Sequence, residues 1–172
     1  YIDDDRMTIH SAWIETRRQM NTINLSEHRS NRNQNSPLLS KDFTLYLKSS
    51  ESMDEISDQS IDLIVTSPPY WKKRNYGVDG QIGLEESPED YLTNLLKVFH
   101  ECKRVLKDSG SMFIVIGDTY NSYGSLQNIP QRLSIELTDR GWLSRNWLVW
   151  HKTNPKPESV KTRWNTSCEF VL

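Results

Sequence analysis

The sequence is short of the residues that staple or anchor a chain. It has two cysteines, Cys102 and Cys168, too few for a disulfide framework or a zinc cage. No apolar run approaches the roughly 18 residues of a membrane span, and no apolar N-terminal stretch reads as a signal peptide. Those absences make the cytosol the expected compartment. Charge of one sign is lacking too. Twenty-one basic against 23 acidic side chains leave a net charge of -2, which excludes a uniformly basic nucleic-acid coat but permits a local patch. No internal repeat is visible. The chain does have aromatic core material, six Trp, seven Tyr and four Phe in 172 residues, enough for one domain or slightly more. It opens at Tyr1 rather than Met and closes on the apolar Phe170-Val171-Leu172, as expected of a piece cut from a longer polypeptide.

Residues 1–40 read as a polar extension or linker, opened by Asp3-Asp4-Asp5 and closed by a Ser/Asn-rich stretch. Ile9, Trp13 and Ile14 permit a short helix over about 8–20. From residue 41 the pattern is orderly. Phe43–Leu47 predicts a strand and 51–57 a short helix. Ile61–Thr66 is β-branched and nearly continuous in apolar character, as a buried parallel strand should be. Ser87-Pro88-Glu89-Asp90 supplies a helix cap, and Tyr91, Leu95, Phe99, Cys102 and Leu106 draw one apolar stripe that Gly110 should end. Met112–Gly117 predicts a second buried strand. Ile129, Leu133 and Leu137 predict a second helix, closed by Gly141. Trp142–Trp150 predicts a third strand and Phe170–Leu172 the start of a fourth. Strand, helix, strand, helix, strand implies an α/β fold with a parallel sheet covered on both faces. Such sheets bind ligands at the carboxyl ends of their strands, so the loops after Thr66, Gly117 and Trp150 are where chemistry is expected.

The first of these loops reads Ser67-Pro68-Pro69-Tyr70-Trp71. Each proline fixes φ near -65° and removes an N–H, and each restricts the residue before it to extended conformations. The loop is therefore stiff, rich in carbonyl oxygens and poor in donors, with a hydroxyl at its head and an aromatic ring at its end. It suits a planar, neutral ligand that bears an NH₂ group.

Ser67-Pro68-Pro69-Tyr70 resembles the catalytic motif of the beta-class DNA amino-methyltransferases, in the form typical of the cytosine-N4 enzymes of restriction-modification systems. The likeness extends to Ser60–Thr66, Arg104–Lys107, Gly110, Ile116-Gly117-Asp118, Ile129-Pro130, Gly141-Trp142, Trp150-His151-Lys152, Asn154-Pro155, Pro157–Ser159 and Cys168-Glu169-Phe170. It covers roughly residues 41–172, which are expected to be the catalytic part of the domain. The resemblance implies a partial Rossmann-like, doubly wound sheet and methyl transfer from S-adenosylmethionine to an exocyclic amino group of a base in double-stranded DNA. Cytosine N4 is the first expectation, and adenine N6 the alternative. Ser67, Pro68, Pro69 and Tyr70 would be catalytic. Ser67 Oγ and a Pro68 or Pro69 carbonyl would take hydrogen bonds from the amine, and Tyr70 would stack on the flipped base. Asp118 would approach the cofactor or target pocket. The family's acid at the end of the preceding strand is missing here, where Lys48-Ser49-Ser50 stands, so Ser49 is the candidate cofactor contact.

Trp71, Lys72, Lys73, Arg74, Arg145, Lys152, Lys156, Lys161 and Arg163 are expected along the DNA. Cytosine-C5 chemistry would need a nucleophilic cysteine, whereas Cys102 lies on a helix stripe and Cys168 beside a strand, both read as inert thiols. His151 reads as structural, since the reaction needs no strong base. No metal site is expected. The family's glycine-rich cofactor turn is absent, for none of the seven glycines forms Gly-x-Gly. The chain is thus expected to lack its C-terminal half, supplied in cis or in trans, and to be inactive alone. A non-catalytic DNA-binding or assembly half of a split enzyme is the other expectation.

Overall fold

The computed structural model describes residues 38–39 and 43–172, and the helix expected over 8–20 lies outside them. The chain divides into two units at Lys48 and Ser49. In the first, β1 (Leu38–Leu39) pairs antiparallel with β2 (Thr44–Leu45). The strand expected over 43–47 is therefore shorter, and its partner is local.

The second unit holds a four-stranded sheet and two helices. In chain order it contains β3 (Ile61–Thr66), α1 (Pro88–Val105), β4 (Leu106–Ile116), α2 (Ile129–Asp139), β5 (Leu148–His151) and β6 (Cys168–Val171). The spatial order is β3-β4-β6-β5. β3 and β4 run parallel, while β6 is antiparallel to both β4 and β5. The sheet is mixed, which corrects the all-parallel expectation. β5 and β6 form a hairpin that folds back, so β6 lies inside the sheet and β5 at its rim. Leu172 continues the β6 pairing, exchanging backbone bonds of 3.0 Å with Ile114. The apolar run Phe170–Leu172 is therefore paired, not an open sheet edge.

The helices form for the reasons their sequences give. Ser87 Oγ accepts from the Asp90 N–H at 3.1 Å, Pro88 opens the first turn, and Lys103 and Arg104 occupy the last, where the dipole favours cations. α1 buries Tyr91, Leu92, Leu95, Phe99, Cys102 and Val105, and α2 buries Ile129, Pro130, Leu133 and Leu137. Both stripes join Ile114 and Ile116 of β4 in one core, with Ile64 packed against it. Lys103 Nζ donates to the Arg140 carbonyl at 2.6 Å and ties the ends of the two helices together.

Three expected boundaries move. α1 stops at Val105 rather than at Gly110, because Leu106 turns extended at φ -76° and ψ 135° and enters β4 at once. The β3–β4 register then jumps from Ile61–Leu106 to Leu63–Ser111, so Lys107–Gly110 bulge outward. A Cβ on Gly110 would lie 2.8 Å from Leu106 Cγ and 3.0 Å from the Asp62 carbonyl, so this residue answers a close approach and not a helix end. Residues 51–57 form turns instead of a helix. Arg104 holds them down, donating to the Met53 and Ile56 carbonyls at 2.9 and 3.0 Å. Of the segment expected over 142–150 only Leu148–Trp150 is strand, and the strand runs on to His151.

Burial is one-sided. The face opposite the helices carries Leu63, Val65, Phe113, Leu148 and Trp150, all exposed. The expectation of cover on both faces is not met within this unit's described residues.

Candidate active site at the carboxyl ends of the strands

Strand directions decide which loops meet. β3 and β4 are parallel, and Thr66 pairs with Ile114, so Ser67-Pro68-Pro69-Tyr70 and Gly117-Asp118 emerge at the same end. β5 runs parallel to β4 and delivers His151 and Lys152 there. β6 runs the other way, so its first residues, Cys168 and Glu169, arrive at this end too.

Tyr70 sits at the centre. Its ring lies against Gly117, where a Cβ would come within 2.9 Å of Cε2, so only glycine leaves room for the ring. Its hydroxyl donates to Glu169 Oε2 at 2.9 Å, and Ser67 Oγ stands 3.5 Å from the same oxygen of Tyr70. Glu169 Oε1 is ion-paired with the Lys152 ammonium. Burial, with the Glu169 carboxylate adding to it, pushes the Tyr70 phenol up to about 12, so it stays protonated. Ser67 itself is exposed.

The loop is fixed from below. Tyr91, on α1 and fully buried, donates its hydroxyl to the Pro69 carbonyl at 2.8 Å, and burial holds that phenol well above its usual range. The Pro69 carbonyl is thus engaged from within the fold. The Lys72 N–H donates to the Gly83 carbonyl at 2.7 Å, closing the base of the loop, with Lys72 itself at φ +54°.

Several expected site residues prove to have other tasks. Trp71 is buried in the core and donates Nε1–H to the Glu85 carbonyl at 2.9 Å, so it cannot lie along DNA. Asp118 caps α2. Its Oδ1 accepts from the N–H groups of Thr119 and Ile129 at 2.8 and 3.1 Å, and its Oδ2 from Asn128 at 2.9 Å. Asn128, the local cap position, is left-handed at φ 55° and makes no side-chain cap of its own, so a residue ten positions back does the capping. Ser49 is exposed and turns locally onto Glu51, at 3.1 Å. Arg145 precedes β5 and lines a groove with Lys107, Gly110 and Trp142 at the amino ends of the strands, away from Ser67.

The other cations divide into free and engaged. Lys73, Arg74, Lys156 and Lys161 are exposed. Lys72 Nζ donates to the Glu86 carbonyl at 2.9 Å and lies over the Trp71 ring. Arg163 pairs with Glu158 at 2.6 Å and stacks on the Tyr120 ring at 3.8 Å, clamping the β5–β6 loop to the loop after β4. Cys102 is buried and its thiol is pushed up to about 11 by burial, which keeps it inert. Cys168 pairs in register with His151, which is exposed on β5. No cluster of His, Cys, Asp or Glu able to hold a metal occurs among the described residues. No helix among them is long and apolar enough to cross a membrane.

Sequence reading missed Glu169 and the hydroxyl of Tyr91. Tyr91 was legible only as an apolar stripe position. An acid among apolar strand residues, as in Cys168-Glu169-Phe170, was the available signal for Glu169.

Residues 61–172 match the N6/N4 family described as DNA methylase. The type II methyltransferase M.MwoI of Methanothermobacter wolfeii is 44% identical over 120 residues, covering 68% of this chain and 18% of that protein. M.SmaI of Serratia marcescens is 34% identical over 150 residues, covering 71% of this chain and 51% of its own length. The chain thus spans about half or less of these relatives. Among solved structures, the PvuII cytosine-N4-specific DNA methyltransferase superposes with a TM-score of 0.62 at 22% identity, over 74% of this chain and 47% of that one. A Thermus thermophilus protein assigned as a DNA modification methylase, solved with S-adenosyl-L-methionine, superposes with a TM-score of 0.54 at 27% identity, over 71% and 50%. The fold is the α/β, Rossmann-like one of these proteins, and the chain belongs to the N6/N4 DNA methylase family.

Proposed function

We propose that this chain supplies the target-base half of a site-specific DNA amino-methyltransferase of the restriction-modification type, with the N4 amine of a flipped cytosine as methyl acceptor. One observation carries the reading. An exposed hydroxyl, Ser67, and the carbonyl of Pro68 stand beside a held aromatic ring, Tyr70, at the carboxyl end of the sheet. An exocyclic amine is conjugated with its ring and is a poor nucleophile. Donating its two N–H groups to Ser67 Oγ and the Pro68 carbonyl favours a pyramidal nitrogen with its lone pair freed. Attack on an electrophilic methyl then needs alignment more than base strength. No strong general base is required, in keeping with a Tyr70 that holds its proton. Lys73, Arg74, Lys156 and Lys161 would neutralise phosphates. Serine at the head of the motif favours cytosine N4 over adenine N6.

S-adenosylmethionine is the methyl donor this family implies, but the described residues do not form its seat. Asp118 is committed to α2, Ser49 turns onto Glu51, and the sequence holds no Gly-x-Gly. The donor would be held by residues supplied in cis or in trans. Calorimetry on residues 1–172 should accordingly give weak or no binding of the cofactor. Tight stoichiometric binding would refute the half-site reading. The deciding assay adds the complementing half and resolves the methylated nucleosides by mass spectrometry. N4-methylcytosine is expected. N6-methyladenine alone would transfer the assignment to the adenine enzymes. No methylation, with DNA still bound, would leave a binding or assembly half, the reading that the missing glycine turn favours.

A further inference from the structure

Glu169 contacts neither Ser67 nor any group that would touch a base other than Tyr70, yet its geometry constrains both residues. A carboxylate carries no proton, so at 2.9 Å the Tyr70 hydroxyl must donate to Glu169. Tyr70 has one proton. With that proton committed, its oxygen can only accept. The Ser67 hydroxyl, 3.5 Å away, is then the group that donates to Tyr70. Its proton points toward Tyr70, and its lone pairs are left facing the exposed side of the loop. The Lys152 ammonium pairs with the other oxygen of Glu169 and fixes it in place. We propose that Glu169, held by Lys152, is the positioning residue that sets the direction of the Ser67–Tyr70 hydrogen bonds and so makes Ser67 an acceptor toward the ligand.

The consequence is a specificity device. A ligand edge that offers N–H meets an acceptor. An edge that offers C=O meets lone pairs on Ser67 and on the Pro68 carbonyl, and is refused. The site thereby separates an amino base from its oxo counterpart, cytosine from uracil or adenine from hypoxanthine. The specificity half of this inference rests on the amine-acceptor reading above. The hydrogen-bond direction does not.

Two measurements separate them. The first uses the chain labelled with ¹³Cζ-tyrosine at pH 7, with the Tyr70 resonance assigned by its loss in Tyr70→Phe. Glu169→Gln should move that resonance and leave the other tyrosines in place, Lys152→Met should move it in part, and Lys152→Arg should leave it unmoved. A Tyr70 resonance unmoved in a folded Glu169→Gln chain overturns the proposal, and so does one unmoved in Lys152→Met if the glutamine variant does not fold. The second measures fluorescence anisotropy with single-stranded oligonucleotides whose one variable base is cytosine or uracil, and adenine or hypoxanthine. The parent chain should prefer the amino base by on the order of tenfold or more. The preference should collapse toward unity in Glu169→Gln and in Tyr70→Phe. Equal binding of amino and oxo bases by the parent, or an undiminished preference in both variants, would also overturn the proposal. A parent that binds none of these oligonucleotides, while its Tyr70 resonance responds as described, would sink the DNA reading and leave the hydrogen-bond direction standing.

Discussion

The two faces of the sheet use the same strands and the same kinds of residue, and they meet different fates. On the helix side Ile114 and Ile116 are 2% and 0% exposed. On the other side Leu63 and Trp150 are 54% and 55% exposed. The near-continuous apolar runs of β3 and β4 suit burial on both sides. Within this unit only one side receives it. An apolar run in a strand thus records what the strand can bury, while cover depends on elements elsewhere in sequence.

That contrast can be broken from either side. The largest effect should come from the covered face. Ile116→Ala removes a fully buried side chain and should cost about 2–5 kcal/mol in urea unfolding. A loss under about 0.5 kcal/mol there would mean the core is not the one described. Next is Gly117→Ala, just past the end of β4. Its methyl would enter the Tyr70 ring and should cost roughly 1–3 kcal/mol as overpacking, with the Tyr70–Glu169 contact displaced in the NMR spectrum.

A smaller, pH-dependent effect should come from Glu101. The Arg104 guanidinium, and then the Met53 N–H, hold its carboxyl down to about 2. Its folded value lies below its unfolded one, so the stability it contributes is present above about 4.5 and is lost as pH falls toward about 2. Glu101→Gln should flatten the curve of urea midpoint against pH in that window. An unchanged slope would assign the acid sensitivity to other carboxylates, Glu89 among them, which a hydrogen bond from its own backbone N–H, and then the Arg132 guanidinium, hold low. The smallest effect should be on the bare face, where Val65→Thr should change stability by no more than about 0.5 kcal/mol. A larger loss would show that this face is packed in solution.

What was legible in the sequence followed locality. The Ser87-Pro88 start of α1 and its buried stripe are decided within a few residues, and both are as expected. The Ser67–Tyr70 loop stands at a strand's carboxyl end, as the alternation of elements required. Strand direction was not legible. Nothing in Cys168–Val171 says that it runs against its neighbours, because a hairpin and a crossover can present the same apolar run. With direction went Glu169, 99 positions from Tyr70 in sequence and in hydrogen bond with it. Trp71 misled for a related reason. An aromatic next to a ligand loop fits stacking as well as packing, and only the Glu85 carbonyl at 2.9 Å decides between them. Asp118 was placed correctly at the strand end, but two of its three partners are backbone N–H groups at the cap and first residue of a helix that begins eleven residues later.

That capping carboxylate has a consequence for how the protein can vary. Asp118 pins the end of β4 to the first turn of α2, and the intervening segment closes on itself through the Tyr120–Leu126 bridge and the Gln127 N–H to the Thr119 carbonyl, at 3.0 Å. Its tip, with Tyr123 almost wholly exposed and Gly124 at φ +78°, sits outside that double closure. Residues inserted there would lengthen a loop whose two ends are already held. Each doubling of its length would cost only about 0.6 kcal/mol of closure entropy, with the sheet and α2 left in place. The tip between Asn121 and Ser125 is therefore a place where related chains can differ in length and still keep the Ser67–Tyr70 frame intact.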